Sequence, residues 1–207
     1  MMKQTKAGIF AIGRHRIETD GSGIRTLVVF EGCPLRCKYC INSYTWNGKQ
    51  SGIIHSPEML LRKVSVDSIY FQATKGGITF GGGEPLLNAK FILDFINIAP
   101  ASWNYVVETS LAVPVENIRL ISSKIDTFVV DIKSLDAAIY RAYTGCELSL
   151  AIANLKLLLE LVGPERIIVR VPIIPGYADQ QSQNYSADQL RKLGISNIDL
   201  FTYKVNR

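Results

Sequence analysis

The stretch IRTLVVFEGCPLRCKYC, residues 24–40, joins an apolar run to a loop that holds three of the chain's four cysteines. The run 24–30 is rich in β-branched and aromatic residues and lacks the polar alternation of a half-exposed strand. It therefore predicts a strand that is covered on both faces. The cysteines follow directly after this strand, so we expect the chemistry of the protein at the end where the chain leaves the sheet.

Runs of the same character recur along the chain and predict five further strands. They are GITFGG, NYVVET, TFVVDIK, RIIVRVPII and IDLFTYKV, at residues 77–82, 104–109, 127–133, 166–174 and 198–205. Helical patterns separate the runs, and one begins clearly at Ser56 with Pro57 in the first helical position. Two others, SLAIANLKLLLELVG at residues 149–163 and SADQLRKLG at residues 186–194, end in Gly163 and Gly194, which we expect to terminate helices.

The alternation of strands and helices determines the predicted fold. Six strand–helix repeats indicate right-handed parallel βαβ units. The chain has 207 residues, fewer than the roughly 250 of a complete eightfold barrel. We therefore predict an α/β fold with a curved, parallel six-stranded partial barrel, (βα)6, in a single domain over residues 1–207. An open doubly wound sheet is the alternative, and either fold places function at the carboxyl ends of the strands.

Composition favours a soluble, cytoplasmic protein. No apolar run approaches the roughly 20 residues of a membrane helix, and the amino-terminal residues lack the apolar segment and cleavage site of a signal peptide. The formal net charge of +5 is spread along the chain without a Lys or Arg cluster, so we expect no nucleic-acid surface. Three cysteines within eight positions are too close to pair with one another and indicate ligands rather than a disulfide framework.

Three kinds of site compete for Cys33, Cys37 and Cys40. A structural zinc requires four ligands, commonly two C-x2-C pairs, and neither His15 nor His55 has ligand spacing to the cysteines. Thiols without a ligand rarely gather in one loop, which argues against a purely structural role. An iron–sulfur cluster commonly takes four cysteines. Three would leave one iron without a protein ligand, and an open position is typical of a catalytic metal centre.

The C-x3-C-x-aromatic-C pattern, with Tyr39 in the aromatic position, resembles the signature of the radical S-adenosylmethionine (SAM) superfamily. In that superfamily the cysteines bind a 4Fe–4S cluster, and the amino and carboxylate groups of SAM chelate the open iron. Reductive cleavage of SAM then yields a 5′-deoxyadenosyl radical that abstracts a hydrogen atom. The resemblance therefore implies that three residues bind the metal cluster: Cys33, Cys37 and Cys40.

A second motif, GGITFGGGEPLL at residues 76–87, ends its strand in glycines that let the backbone approach a ligand closely. Taken alone it is an ordinary glycine-rich turn. One βα unit after the cysteines, it resembles the superfamily's GGEP motif, which contacts the methionine amino group of SAM. The resemblance implies cofactor contacts from Gly82, Gly83 and Glu84.

The segment DGSGIRTLVVFEGCPLRCKYC, residues 20–40, is further similar to the opening of the glycyl-radical enzyme activases. VVETS, VVDIKSLD, AYTG and IIVRVPIIPGYAD continue the similarity in the same order. The sequence around Arg170 indicates a site independently of this similarity, because a charge within so apolar a strand must pair or face a polar cavity. The resemblance places Lys133 and Arg170 among the catalytic residues and implies a set of cofactor-binding side chains: Tyr39, Glu108, Thr109, Asp131, Lys133 and Arg170.

The chain departs from the activase pattern at three positions. Ser22 replaces the usual proline of D-G-P-G, and Ile41 stands where the family commonly has histidine before Asn42. Lys204 occupies the histidine position of the last strand, where it is predicted to contact the cofactor. Cys146 is distant from the other cysteines and is interpreted as a packed or surface residue, so the additional ferredoxin-like clusters of some activases are not expected.

The leading interpretation is a cytoplasmic radical SAM oxidoreductase that works anaerobically as an activase. It would bind a 4Fe–4S cluster and SAM, accept an electron from flavodoxin or ferredoxin, and take a hydrogen atom from a backbone glycine of a glycyl-radical enzyme. We expect a monomer without a nucleic-acid or membrane partner. One alternative is a radical SAM enzyme that modifies a peptide or rearranges a small molecule, as 7-carboxy-7-deazaguanine synthase does. The other is a metal-binding or redox-sensing module without radical chemistry.

Overall fold

The structure is a computed structural model that describes residues 5–17, 20–46 and 52–204. Its strands are β1 (Ala7–Ile17), β2 (Ile24–Phe30), β3 (Ile53–His55), β4 (Gly77–Gly82), β5 (Asn104–Thr109), β6 (Thr127–Asp131), β7 (Ile167–Ile173) and β8 (Ile198–Thr202). Its helices are α1 (Pro57–Val64), α2 (Ser68–Thr74), α3 (Ala89–Ile98), α4 (Val115–Ile121), α5 (Ala137–Thr144), α6 (Leu148–Val162) and α7 (Gln180–Lys192). Within the described ranges, no helix is long and apolar enough to cross a membrane.

All eight strands form one sheet in the order β3-β1-β2-β4-β5-β6-β7-β8. The six strands from β2 to β8 pair in parallel, which confirms the predicted α/β fold with a parallel six-stranded partial barrel. Each new parallel strand joins the same edge in chain order, whereas a doubly wound sheet reverses direction at a switch point. The doubly wound alternative is therefore excluded. In the described part of the chain β3 and β8 do not pair, so the sheet is not closed.

Strands β1 and β3 were not predicted. They add to β2 in antiparallel orientation, β1 directly and β3 through β1. The pattern of β1 escaped detection because two register irregularities interrupt its pairing with β2, and most of its second half is exposed. Strand β3 has only three residues, which are too few to show a periodic pattern of apolar side chains. These two strands extend the sheet beyond its parallel core.

The predicted element ends are correct within a few residues, with differences at two strands and one helix. The run predicted to end at Lys133 leaves the sheet after Asp131, and the last strand stops at Thr202, while residue 205 lies outside the described ranges. Helix α7 begins at residue 180, earlier than the predicted start at Ser186, because the side chain of Asp179 caps it. Gly163 ends α6, as predicted.

Alternation along the strands separates the hydrophobic core from a polar inner face. Successive side chains of a strand point to opposite faces of the sheet. In β7, Val169 and Val171 belong to the buried core, while Arg170 between them lines a cavity. In β5, Val107 lies in the core and Glu108 faces the same cavity. The parallel strands therefore cover the core with one face and present charged groups on the other.

Arg25 ties the DGSGIR segment to the amino ends of three strands. Its side chain is fully buried and its guanidinium donates to Thr79 Oγ1 at 2.7 Å, Ile78 O at 2.8 Å and Ser22 O at 3.1 Å. It also donates to the side-chain and backbone oxygens of Asn104, at 2.8 and 3.1 Å. Burial lowers the pKa of Arg25 to about 10, which leaves the group charged at neutral pH. This cation connects β2, β4 and β5.

We predict that Arg25→Met lowers the free energy of unfolding by about 3 kcal/mol or more, because buried acceptors such as Thr79 and Asn104 lose their donor. Urea denaturation monitored by circular dichroism measures the change. Arg62→Met, at an exposed arginine in the last turn of α1, is the control and should stay within about 0.5 kcal/mol of the wild type. Equal stability of the two variants would contradict the role given to Arg25.

Candidate functional site

A cavity of about 610 Å³ lies against the inner face of the sheet, where the parallel strands end. Its wall combines residues from the loop after β2, from the ends of β4 to β7 and from the chain after β8. With the exception of Glu84, all the site residues predicted from the sequence line it: Cys33, Cys37, Tyr39, Cys40, Gly82, Gly83, Glu108, Thr109, Asp131, Lys133, Arg170 and Lys204. The structure thus brings together side chains that are spread over most of the sequence.

The cysteine loop, residues 31–46, is held against the carboxyl end of α5. The backbone N–H of Arg36 donates to the carbonyl of Thr144 at 2.8 Å, and that of Lys38 donates to Tyr143 at 3.1 Å. The AYTG segment therefore fixes the middle of the loop. The Arg36 guanidinium donates to the carbonyls of Cys33 at 2.6 Å and Leu35 at 2.8 Å. The loop is thus fixed by backbone and side-chain bonds, although it contains little regular secondary structure.

The three thiols of this loop are free and partly buried. Burial raises the pKa of Cys33 to about 12 and that of Cys37 to about 11, so both are protonated at neutral pH without a ligand. In the described residues, no group of three His, Cys, Asp or Glu side chains is placed to hold a metal ion. The thiols therefore line one cavity without forming a ready single-ion site. In a 4Fe–4S cluster each cysteine binds a different iron, and three thiols that line one cavity are a suitable donor set for such a cluster.

The glycine turn after β4 lies directly against the end of β2. A Cβ atom on Gly83 would lie 2.1 Å from the carbonyl oxygen of Gly32, so no other residue fits there. Gly82 has a φ of +102°, and its carbonyl accepts a hydrogen bond from Asn42 Nδ2 at 3.2 Å. Asn42 belongs to the cysteine loop. The two motifs recognised in the sequence are therefore joined by direct backbone approach and by one side chain.

Glu84 differs from its predicted position, because it is fully buried and does not line the cavity. Its carboxylate accepts hydrogen bonds from Thr109 Oγ1 at 2.7 Å and from the N–H and hydroxyl of Ser110, at 2.9 and 2.6 Å. The N–H of Leu86 donates to it at 3.2 Å. Burial raises the pKa of Glu84, and these hydrogen bonds act in the opposite direction. The Glu84 side chain therefore holds the end of β5 in place without lining the cavity.

Arg170 lies among carboxylates on the inner face of the sheet. Its Nη1 donates to Glu108 Oε1 at 2.8 Å, its Nε is 3.6 Å from Asp199 Oδ2, and Asp131 is its register partner on β6. The sequence predicted that this charge must pair or face a polar cavity, and the structure shows both. Burial would lower the pKa of Arg170, but the charge of Glu108 and then that of Asp131 raise it above the ordinary value.

Lys133 is another buried cation of the cavity, with 8% of its surface exposed. Its Nζ donates to the hydroxyl of Tyr203 at 2.8 Å and lies 3.5 Å from Asp131 Oδ1. Burial would lower its pKa, but the nearby charges, that of Asp131 foremost, raise it, so Lys133 stays protonated. Lys204 lines the same cavity from an exposed position.

Some of the lining residues escaped the sequence analysis. Tyr203 directly precedes the predicted Lys204 in the segment FTYK, and this position could have indicated that it lines the cavity. Arg16 comes from β1, the strand that was not predicted, and its Nε donates to Asp20 Oδ2 at 2.6 Å. Asp20 is buried and belongs to the DGSGIR segment, but no role was predicted for it. Ser110, which follows the predicted Thr109, also lines the cavity.

The arrangement suits a ligand that carries both a positive and a negative charge. Lys133, Arg170 and Lys204 supply cations, while Glu108 and Asp131 supply carboxylates on the same wall. Such groups fix the orientation of a bound molecule by charge-assisted hydrogen bonds. The thiols stand on the neighbouring wall.

A family model described as the Radical SAM superfamily matches residues 27–184. The match covers more than half of the chain and includes the cysteine loop and the glycine turn. The chain belongs to the radical SAM superfamily. Members of this superfamily use a 4Fe–4S cluster and SAM, and the donor set of the cavity fits both.

This radical SAM chain is similar to enzymes named as activating enzymes. It is 37% identical over 135 residues to the pyruvate formate-lyase-activating enzyme of Clostridium pasteurianum, which covers 63% of this chain and 56% of that one. It is 28% identical over 228 positions to the pyruvate formate-lyase 2-activating enzyme of Escherichia coli (strain K12). That alignment covers 95% of this chain and 77% of the relative. The chain thus spans little more than half the length of the first relative.

A solved structure shares the fold of this radical SAM chain. SuiB of Streptococcus suis bound to S-adenosylmethionine superposes with a TM-score of 0.66 at 14% identity, over 87% of this chain and 42% of that chain. At this identity the likeness shows the fold alone.

We predict that Cys33 and Cys37 of the cluster-free protein react slowly with iodoacetamide at neutral pH. Only the thiolate reacts, and their pKa values are about 12 and 11, so each rate should rise roughly tenfold per pH unit from pH 7 to pH 10. Peptide mass spectrometry measures the rates.

The same protein unfolded in urea is the control for this experiment, because an ordinary thiol levels off above its pKa of about 8.5. A plateau below pH 9 in the folded protein would contradict the prediction. The pKa values of Cys33 and Cys37 are higher in the folded protein than in the unfolded chain. The free energy of unfolding of the cluster-free protein should therefore fall as the pH rises above about 8.5, because the unfolded chain then releases these two protons more readily.

Proposed function

We propose that the protein is a glycyl-radical enzyme activase, a radical SAM oxidoreductase that generates a radical on a backbone glycine of a partner enzyme. One observation carries the proposal: the cysteine loop and the glycine turn meet at a single cavity that paired cations and carboxylates also line. The relatives named as activating enzymes support it. When bound, the cluster and SAM together supply the 5′-deoxyadenosyl radical that abstracts the hydrogen atom.

In this proposal Cys33, Cys37 and Cys40 hold the cluster. Their loop is fixed by the bonds from Arg36 and Lys38 to the carboxyl end of α5, so the thiols keep their positions on the cavity wall. The side chains of Arg36 and Lys38 are exposed. Their positive charges would favour docking of an acidic flavodoxin- or ferredoxin-type electron donor. We also propose that the chain acts as a monomer with one domain over residues 1–207.

The groups for SAM are divided between backbone and side chains. Gly82 and Gly83 present backbone atoms at the cavity edge, where the amino group of SAM would be bound. Lys133 and Arg170 remain cationic in the cavity and are the available partners for its carboxylate.

Polar and aromatic groups complete the proposed SAM site. The carboxylates of Glu108 and Asp131 and the hydroxyl of Thr109 are acceptors for amino and ribose groups. Lys204 would bind the cofactor from the cavity edge through its side-chain nitrogen. Tyr39 offers an aromatic ring there, oriented by the bond from its hydroxyl to Pro175 O at 3.0 Å.

Glu84 has a different part in the proposal, since its carboxylate lies beneath the cavity. By accepting from Thr109 and Ser110 it sets the position of the groups at the end of β5. It is therefore a positioning residue rather than a direct contact.

An adjoining cavity supports access for a polypeptide loop. It has a volume of about 370 Å³ and is lined by Asp131, Arg170, Asp199, Phe201 and Tyr203, so it borders the main cavity on the side of β8. A glycine backbone passes a narrow opening more easily than a residue with a side chain, and its Cα radical is stabilised by the flanking amide groups. The partner's glycine loop must leave its own core to enter, which requires local opening of the partner.

We predict that Cys37→Ala abolishes reductive cleavage of SAM, because the cluster loses one of three protein ligands. After anaerobic reconstitution with iron and sulfide, dithionite should drive formation of 5′-deoxyadenosine by the wild type, and the variant should be slower by more than about 100-fold. Cys146→Ala is the matched control, because Cys146 does not line the cavity, and it should retain the wild-type rate. Cleavage by Cys37→Ala at the rate of Cys146→Ala would disprove the cluster assignment.

We predict that the reconstituted protein with SAM and a reductant produces an organic doublet, detected by electron paramagnetic resonance, on a glycyl-radical enzyme of the same cell. The partner with its radical-bearing glycine replaced by alanine should give no doublet, because alanine carries a side chain and forms a less stabilised Cα radical. If SAM is cleaved but no co-occurring glycyl-radical enzyme acquires the doublet, the activase proposal fails in favour of another radical SAM substrate.

A further inference from the structure

An extra residue in β1 changes the direction of the side chains that follow it. The pairs on either side of it are Gly13 with Leu27 and Arg16 with Arg25. Strand β1 therefore advances three residues where β2 advances two, which is a β-bulge. His15 lies within the bulge, and its φ of +55° is in the left-handed region that a residue with a side chain seldom adopts.

The bulge places two arginines of β1 on opposite faces of the sheet. Arg14 donates from Nε to Asp67 Oδ2 at 2.9 Å and from Nη2 to Asp67 Oδ1 at 2.6 Å. Thr26 of β2 donates to the same carboxylate, so Arg14 lies on the outer face. Arg16 lines the main cavity on the inner face. Residues two apart in a regular strand share a face, so the extra residue is what turns Arg16 toward the cavity.

Contacts on the outer face hold the bulge in place. His15 Nε2 is 3.2 Å from Asp67 Oδ1, and the His15 ring packs on Tyr70 with 4.7 Å between the ring centroids. A left-handed backbone at a residue other than glycine is unfavourable and persists only where its surroundings hold it, which is common near binding sites. The direction of Arg16 is therefore a feature that the fold maintains against strain.

Asp20 fixes the guanidinium of Arg16. Its carboxylate accepts from Arg16 Nε at 2.6 Å and from Nη2 at 3.1 Å. Asp20 is buried, and its own carbonyl accepts from the hydroxyl of Thr79 at 2.8 Å. A guanidinium carries five N–H groups, and among the described residues only Asp20 accepts from that of Arg16. The remaining N–H groups are oriented donors for a ligand.

The side chain of Arg16 lies away from the cysteine loop. Its Cδ is 3.9 Å from the place that a Cβ on Gly13 would occupy, so the side chain passes over Gly13. The partner of Gly13 is Leu27, three residues before β2 ends at Phe30. At about 3.3 Å per residue, this is about 10 Å from the start of the loop. Arg16 therefore serves a different part of the cavity from the thiols.

Arg16 also stands at an edge of the sheet. Strand β3 pairs with β1 only at Ala7, Gly8 and Ile9, and in the described ranges no strand pairs with this edge of β1 beyond them. The side chain of Arg16 is 42% exposed, so a ligand can reach it from solvent.

The acceptor that suits Arg16 is uncharged. Asp20 already balances the charge of Arg16, and the carboxylates of Glu108 and Asp131 line the same cavity. A further carboxylate at Arg16 would meet these negative charges, whereas an amide carbonyl would not. A polypeptide backbone offers such a carbonyl at every residue.

We propose that Arg16 is a substrate-binding residue whose remaining N–H groups donate to a backbone carbonyl of the partner's glycine loop. The bulge at His15 presents this donor to the cavity, and Asp20 orients it. The inference rests on the proposed activase function, because it names a group that holds the polypeptide substrate of that function.

The test is the affinity of the reconstituted protein for a fluorescent synthetic peptide with the glycine-loop sequence of a co-occurring glycyl-radical enzyme. Fluorescence anisotropy, with SAM present and no reductant, measures the Kd. Arg16→Met should raise the Kd about tenfold or more, because a hydrogen bond from a charged donor is lost. Arg16→Lys keeps a cation for Asp20 but lacks the planar fork, so it should raise the Kd severalfold.

Arg14→Met is the matched control, because Arg14 belongs to the same strand and also pairs with a buried aspartate. It does not line the cavity, so its peptide Kd should equal that of the wild type. Circular dichroism checks that each variant is folded. A second peptide, in which every Asp and Glu is replaced by its amide, should show the same loss on Arg16→Met, because the proposed acceptor belongs to the backbone.

Equal peptide affinity of the wild type and both Arg16 variants would overturn the inference and leave the proposed function intact. A loss confined to the peptide with carboxylates would overturn it in favour of a side-chain acceptor. An equal loss of affinity for SAM, measured by equilibrium dialysis, would overturn it in favour of the cofactor. If the wild type bound no peptide and gave no glycyl doublet on the intact partner, the proposed function would fail together with the inference.

Discussion

The contact between Gly83 and the carbonyl oxygen of Gly32 sets the geometry on which the rest of the site depends. A Cβ on Gly83 would lie 2.1 Å from that oxygen, so the ends of β2 and β4 can meet only through glycine. The N–H of Glu84 donates to the same carbonyl at 2.7 Å, which fixes the approach. The cysteine loop leaves β2 and the glycine turn leaves β4, and this contact is where both begin. Without it, the thiols and the glycine backbone would not line one cavity.

From that contact outward, the site is built by buried groups that do not themselves line the cavity. Glu84 turns inward and holds Thr109 and Ser110. At the amino ends of the strands Arg25 binds Thr79 and Asn104, which fixes three neighbouring strands. A buried carboxylate and a buried guanidinium are unfavourable unless each is fully hydrogen-bonded, and both have several partners here. Their rigid positions allow the glycine turn and the strand ends to keep one arrangement.

The sequence predicted the six parallel strands because each is a continuous apolar run, the pattern of a strand buried on both sides. The motif resemblance supplied most of the residues of the cavity wall, and the convergence of strand ends in a parallel sheet explains why they meet there. It could not predict β1 and β3, whose pairing depends on irregular register and on three residues of chain. The place of Arg16 in the cavity wall could not be predicted either, because this residue belongs to β1. The inward direction of Glu84 was missed because a motif identifies a residue but does not show which of its atoms faces the ligand.

The departures from the activase pattern fall where the structure requires no fixed partner. Ile41 is 86% exposed, and Lys204 is also exposed, so neither substitution disturbs a packed contact. Other parts of the site are under steric or electrostatic constraint, such as Gly83 against a carbonyl oxygen and Lys133 between Asp131 and Tyr203. The exposed residues at the edge of the cavity are less constrained than these. In the proposed activase the constrained groups would hold the cluster and the methionine end of SAM, and the exposed edge would serve the rest of the cofactor and the partner's glycine loop.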